Sequence, residues 1–359
     1  MFIYFFLFLI IMLIYFFFGK YYVKRRDYLI NPNIHKKVKK NVIFIGLFIF
    51  ILSAFRDISV GIDTESYLWT YERLPKIMPK LSFRFLNEDG YMLIEYFCMN
   101  YFLGFRGVLI IGAILFIFPT TYIIYKYSEN PYLSFFYFIS LDYFCFSMSG
   151  MRQSMALGIC LIALEMVFRR KFIMYLLLIC IAVTIHSTAI VFLPVYFLGK
   201  IPTQRKYFKY FLCVGILGFI FKNNIGELLR SMSRVYYGEI STGGVGMYIY
   251  MCSIVIIGII YMTDTKEKYR KDTIIDFMVM VAIIIYPILK FNPTVFRLHY
   301  YYSILIIIYI PKVLQRIDNI KIKFLFQTFL FLVAIYYFIE YTMQSMGANP
   351  YVFGIGEIL

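Results

Sequence analysis

The chain has 359 residues, 62% of them hydrophobic and 21% aromatic, with a mean hydropathy of +0.75 and a formal net charge of +16. That is more apolar surface than one water-soluble core can hide, which excludes a soluble globular enzyme and points to a polytopic membrane protein. The positive charge sits in short stretches between apolar runs, so it calls for no nucleic-acid partner.

In chain order, FIYFFLFLIIMLIYFFFG (2–19) carries no charge at all. It lacks a basic leader and a small-residue cleavage site, so it is expected to be a first span rather than a cleaved signal. Further spans are expected near 41–55, 107–125, 131–148, 153–168, 171–185, 187–199, 208–221, 247–262, 274–289, 296–310 and 324–342. The expected fold is therefore all-α: a polytopic integral membrane protein with about twelve transmembrane helices in a single domain over 1–359. Two larger loops remain, 56–106 and 222–246. Within the first, GYMLIEYFCMNYFLG (90–104) is apolar but interrupted by Glu95 and Asn100, and is expected to be a short re-entrant or interfacial helix. In the second, STGGVG (241–246) lacks the strand, lysine and helix start of a phosphate loop. The six cysteines lie in apolar segments without paired spacing, which suits small buried residues rather than a metal site.

If 90–104 does not cross, the loops alternate in charge. One set (20–40, Lys126, 169–171, 200–209, 264–273 and 311–323) holds about 24 of the 36 Lys and Arg residues. Basic loops stay cytoplasmic, so that set is expected inside and both termini outside. The other face then gathers Arg56, Asp57, Asp63 and Thr64 after the second span, Arg152 and Gln153 at the fifth, His186 and Ser187 after the sixth, and Arg297 and His299 at the eleventh. The chain runs inward from Arg152 to Arg170 and back to His186 in two arms of about 25 Å each, by the rise of an α-helix. Arg152 and His186 are thus expected at similar depth. Arg grips phosphate through a planar fork of donors, and neutral His accepts a proton near physiological pH. Together they suit a reaction in which a hydroxyl attacks and a phosphate-bearing group departs. Asp142 and Glu165, inside spans, read as packing or pathway residues.

The segments RDISVGIDTESY (56–67), MRQSMALGICLIAL (151–164), FRRK (168–171) and IAVTIHSTAIVFLP (181–194), with FRLHYYY (296–302) and NPY (349–351), resemble the EpsG family of Wzy-type polysaccharide polymerases. In that family a G-x-DT-x-x-Y element precedes an RQ-x-x-A helix and a helix ending in His. The pattern is intact here at Gly61, Asp63, Thr64, Tyr67, Arg152, Gln153 and His186. The resemblance implies a glycosyltransferase that joins undecaprenyl-diphosphate-linked oligosaccharide repeat units, for an exopolysaccharide, capsule or O-antigen, at the outer face of the bacterial cell membrane. A flippase and a chain-length regulator are the implied pathway partners.

On this reading His186 is the base for the acceptor hydroxyl, and Arg152, with Arg56 or Arg297, neutralises the departing diphosphate. Asp57, Asp63, Thr64, Tyr67 and Gln153 join the substrate-binding set. A diphosphate is already an activated leaving group, so no cofactor or metal is expected. The alternatives are a GT-C type lipid-phosphate-sugar glycosyltransferase, in which Asp57, Asp63 and the Glu88–Asp89 pair serve a metal, an outer-face acyltransferase, and a flippase of the same lipid-linked unit.

Overall fold

A chain in lipid has no water to satisfy its backbone amides and carbonyls, so each apolar run must bond within itself. In a computed structural model describing residues 2–18, 32–77, 88–202, 204–232, 245–263, 271–289, 293–342 and 346–354, the regular structure is helical throughout, apart from one isolated antiparallel bridge between Arg56 and Phe353.

The contacts separate into two compact units. The first comprises residues 1–165, 173–190 and 334–359. It begins with α1 (Phe2–Phe18), α2 (Pro32–Ala54), α3 (Thr64–Glu72) and α4 (Asp89–Tyr101). There follow α5 (Gly104–Tyr127), α6 (Pro131–Ser140), α7 (Tyr143–Ser149), most of α8 (Met151–Phe168), and α9 (Phe172–Ile185). Helix α5 is the spine: α2 and α4 pack along it, while α1 lies on α6. Aromatic edges fasten α1, with Tyr4 and Phe8 both meeting Phe338.

The second unit, residues 166–172 and 191–333, holds α10 (Arg205–Ile220), α11 (Lys222–Met232), α12 (Val245–Ile260), α13 (Lys271–Leu289) and α14 (Ile306–Arg316). Helix α15 (Ile320–Tyr337) begins in this unit. Here α13 is the central element, packed by α10, α12 and α14. Its Asp276 pairs with Lys312 of α14, Nζ to Oδ1 at 2.5 Å, with both side chains buried.

Helices α5 and α8 and the run Ile320–Tyr341 are long and apolar enough to cross a membrane. A fourth such segment forms if α10 and the first turns of α11, bent by 73°, are one broken span. Several of the twelve expected spans are not continuous helices. The 131–148 span breaks at Leu141–Asp142, where Asp142 has φ +80°, a left-handed conformation that ends an α-helix. Segment 187–199 is a 3-10 helix (Ser187–Phe192) followed by a single α turn, and 296–310 is divided among short turns and the start of α14. The 90–104 segment forms α4, 13 residues long and about 20 Å at the α-helical rise, short of a bilayer core. Of the second large loop, residues 233–244 lie outside the described residues.

Candidate functional site

The loop after α2 is built before any side chain is free to meet a ligand. Gly61 has φ +99°, and a Cβ there would stand 2.3 Å from the Met148 carbonyl oxygen, so this position admits glycine. Thr64 N–H donates to Gly61 O, closing the turn into α3, and Thr64 Oγ1 donates to Val60 O at 2.8 Å. Arg56 lies 1% exposed and spends its guanidinium on backbone carbonyls: Ser53 at 2.5 Å, Met148 at 3.1 Å and Val60 at 3.3 Å. Burial pushes its pKa down to about 10, so it stays charged at neutral pH. Arg106, at the start of α5, donates in turn to the carbonyls of Arg56 and Gly354 at 2.5 and 2.7 Å.

Residues 346–354 run alongside. Asp57 N–H donates to Val352 O, Gly354 N–H to Phe55 O, and Gly61 N–H to Gly347 O, while Tyr351 and Tyr4 donate hydroxyls to Leu52 O and Ala348 O.

Two of the expected site residues, Arg152 and His186, meet at Glu88, the residue before α4, which adopts a left-handed φ of +61°. Its Oε2 accepts from Arg152 Nη1 at 3.0 Å. Its Oε1 accepts from Ser187 N–H at 3.1 Å and Ser187 Oγ at 3.2 Å. The same oxygen lies 2.5 Å from His186 Nδ1, a close charge contact that falls off the axis of the ring N–H. One carboxylate thus ties two segments, 64 and 99 residues downstream of it. Local sequence makes this possible. Helix α9 ends at Ile185, His186 N–H still donates to Ala182 O, and the 3-10 turn from Ser187 aims its N–H at Glu88. Gly90 lets α4 start hard against α9, since a Cβ there would meet Thr184 Oγ1 at 2.4 Å.

Arg152 lies beside the rings of Tyr67 and Tyr91, 5.2 and 5.5 Å from their centroids. Its side chain remains 40% exposed. Burial pushes Glu88 up, but the close His186 imidazole, the Ser187 N–H and the Arg152 charge outweigh it and hold the carboxyl at about 2. Two turns along α4, Glu95 is 2% exposed, and burial pushes it up to about 7 against the pull of Tyr91 and Arg152.

The structure thus brings together Arg152, His186 and Tyr67. Asp63, at the N-cap of α3, accepts from Ser149 Oγ at 3.5 Å. Asp57 turns back on its own loop, where the Ser59 N–H and hydroxyl lower its pKa. Thr64 and Gln153 are buried. Arg297 belongs to the second unit, in the 3-10 turn that ends at His299, whose Nδ1 lies 2.7 Å from Phe296 O. Sequence reasoning placed Glu88 only within an acidic pair for a metal-dependent alternative, and Arg106 nowhere. The signal for Glu88 was an acid directly before a helix that repeats an acid seven residues on. Among the described residues, no three His, Cys, Asp or Glu side chains gather as a metal site.

A helical, membrane-embedded protein with a half-exposed guanidinium and an imidazole on one carboxylate is the class these features define. The model of the EpsG family matches residues 39–353, most of the chain, and the protein belongs to that family of Wzy-type polymerases. The family is associated with glycosyltransferase-type polymerase activity in polysaccharide biosynthesis. No curated protein and no solved structure matches the chain.

Proposed function

We propose that this protein polymerises undecaprenyl-diphosphate-linked oligosaccharide repeat units into a surface polysaccharide, working at the outer face of the bacterial cell membrane. The observation that carries this reading is the sharing of Glu88 by Arg152 and His186. Family membership supports the substrate class, and the bias of basic residues toward the opposite loops supports the orientation.

In the proposed step, the acceptor hydroxyl oxygen of one lipid-linked unit attacks the anomeric carbon of the sugar at the reducing end of another chain. Its proton passes to His186 Nε2. The bond between that carbon and the diphosphate oxygen breaks, and the diphosphate leaves with the electron pair. Arg152 offers its exposed donors to the charge growing on that oxygen, the preorganised electrostatic contribution that such sites rely on. Tyr67 and Tyr91 flank the guanidinium as an apolar wall. Asp63 stands at the edge of the same unit as a candidate partner for sugar hydroxyls. Arg56, with its donors on carbonyls, holds the loop. The step draws on no nucleotide or metal, because the leaving group is already activated. A flippase delivering the unit and a regulator of chain length complete the proposed pathway.

The test is genetic and biochemical. His186→Ala and Arg152→Ala, present in the membrane at wild-type amounts, are expected to lose polymer by about 10²–10⁴-fold, the range for removing a general base or a charge-stabilising donor. Single repeat units should accumulate on the lipid carrier. Long polymer at wild-type yield from both variants would refute the assignment.

A further inference from the structure

Glu88 has no part in the proposed step, although it touches both Arg152 and His186. Glu88 is the N-cap of α4 by position, yet its side chain makes no capping bond. A carboxylate at a helix start ordinarily bonds the helix's own N–H groups. This one turns away from α4 and bonds Ser187 and Arg152 instead. Its left-handed backbone is a conformation that non-glycine residues adopt at a cost. A structural cap needs neither feature.

We propose that Glu88 is a positioning residue for this site: its carboxylate fixes the His186 ring with Nδ1 inward and Nε2 free, and anchors Arg152 in register beside it. This rests on His186 being the proton acceptor. A carboxylate on one ring nitrogen fixes which nitrogen carries the proton and stabilises the imidazolium formed when the other takes one. The bonds from Ser187 N–H and Oγ hold the carboxylate itself, so the imidazole is tied through Glu88 to one backbone N–H. The charged and titratable groups facing this pair are Arg152 from α8, Tyr67 from α3, and Tyr91 and Glu95 from α4. Arg152 is bonded to Glu88 and lies within electrostatic reach of Glu95, seven residues on.

The experiment uses the full chain, purified in lipid nanodiscs, with a lipid-linked repeat unit as substrate. Glu88→Gln, Glu88→Asp and His186→Ala are compared for kcat, KM, and the pH dependence of kcat. In parallel, the pH dependence of His186 modification by diethyl pyrocarbonate is followed by mass spectrometry. The second readout needs no turnover. Glu88→Gln keeps the shape and loses the charge. It is expected to lower kcat by about 10–100-fold, the usual penalty for a lost orienting partner, with KM little changed. Its acidic limb of activity, and the onset of His186 modification, should both move to lower pH, since a neighbouring carboxylate favours a protonated ring. Glu88→Asp should recover part of kcat and keep the wild-type limb.

Wild-type kcat with both pH profiles unmoved in Glu88→Gln would overturn the proposal. So would loss of folded protein in both Gln and Asp variants, which would make Glu88 structural. Full polymerisation by His186→Ala would instead sink the reading of His186 as base. In that case a shifted modification profile in Glu88→Gln would still report the coupling of Glu88 to the ring.

Discussion

Arg56 and Arg152 carry the same group in the same unit, and the chain uses them in opposite ways. Arg56 is enclosed, 1% exposed, with its donors on three backbone carbonyls. Arg152 is held by one carboxylate and two aromatic rings and leaves 40% of its side chain open. A guanidinium whose donors are consumed by carbonyls stitches backbone together. One whose counter-charge is a single side chain keeps donors for a ligand. The Lys312–Asp276 pair of the second unit falls with Arg56: both side chains are buried, and Lys312 also donates to the Asp272 carbonyl at 2.8 Å. Charge inside a membrane protein is therefore not by itself a mark of chemistry; exposure and the nature of the partner sort locks from sites.

The contrast is broken most directly by Arg56→Ala. Three bonds to a charged donor vanish and leave buried carbonyls unmet, at about 1.5–3 kcal/mol each before relaxation. After relaxation a loss of roughly 3–5 kcal/mol is expected from the unmet carbonyls, read as a fall in folded protein in the membrane. Arg152→Ala should leave that amount unchanged while polymer is lost. Equal abundance of both variants would erase the distinction. Gly61→Ala comes next. Its φ of +99° and the close Met148 carbonyl predict a loss of about 1–3 kcal/mol in thermal stability. The smallest effect concerns pH. Glu88 is held at about 2 in the folded protein against an ordinary 4.5. Its depressed pKa contributes stability that is fully present above about 4.5 and is lost as pH falls toward 2. Melting in detergent should show that decline, and Glu88→Gln should flatten it.

The sequence already showed the membrane class, the family pattern and the similar depth of Arg152 and His186. These depend on composition, on residue order and on a helical hairpin whose arms are nearly equal. Helical continuity was less visible: the break at Asp142 hangs on one left-handed residue in an otherwise apolar run. The fate of Arg56 was hidden for a different reason. Its partners are carbonyls, which every residue carries and no side-chain pattern announces, and one of them belongs to Met148, 92 positions away. Glu88 was hidden because its contacts depend on lateral packing of α4 against α9, and spacing along the chain measures depth alone.

The edge that residues 346–354 add to the loop has a consequence in time. Tyr351 and the Leu52 carbonyl it bonds are 299 residues apart, with all of the second unit between them. A nascent chain therefore inserts Arg152, His186 and Glu88 long before the loop at 55–62 gains its last partners. Closing so long a connection comes late in folding. An arrested chain that stops before residue 346 would carry the histidine hairpin beside an unfinished wall, so translation itself orders the assembly of this site.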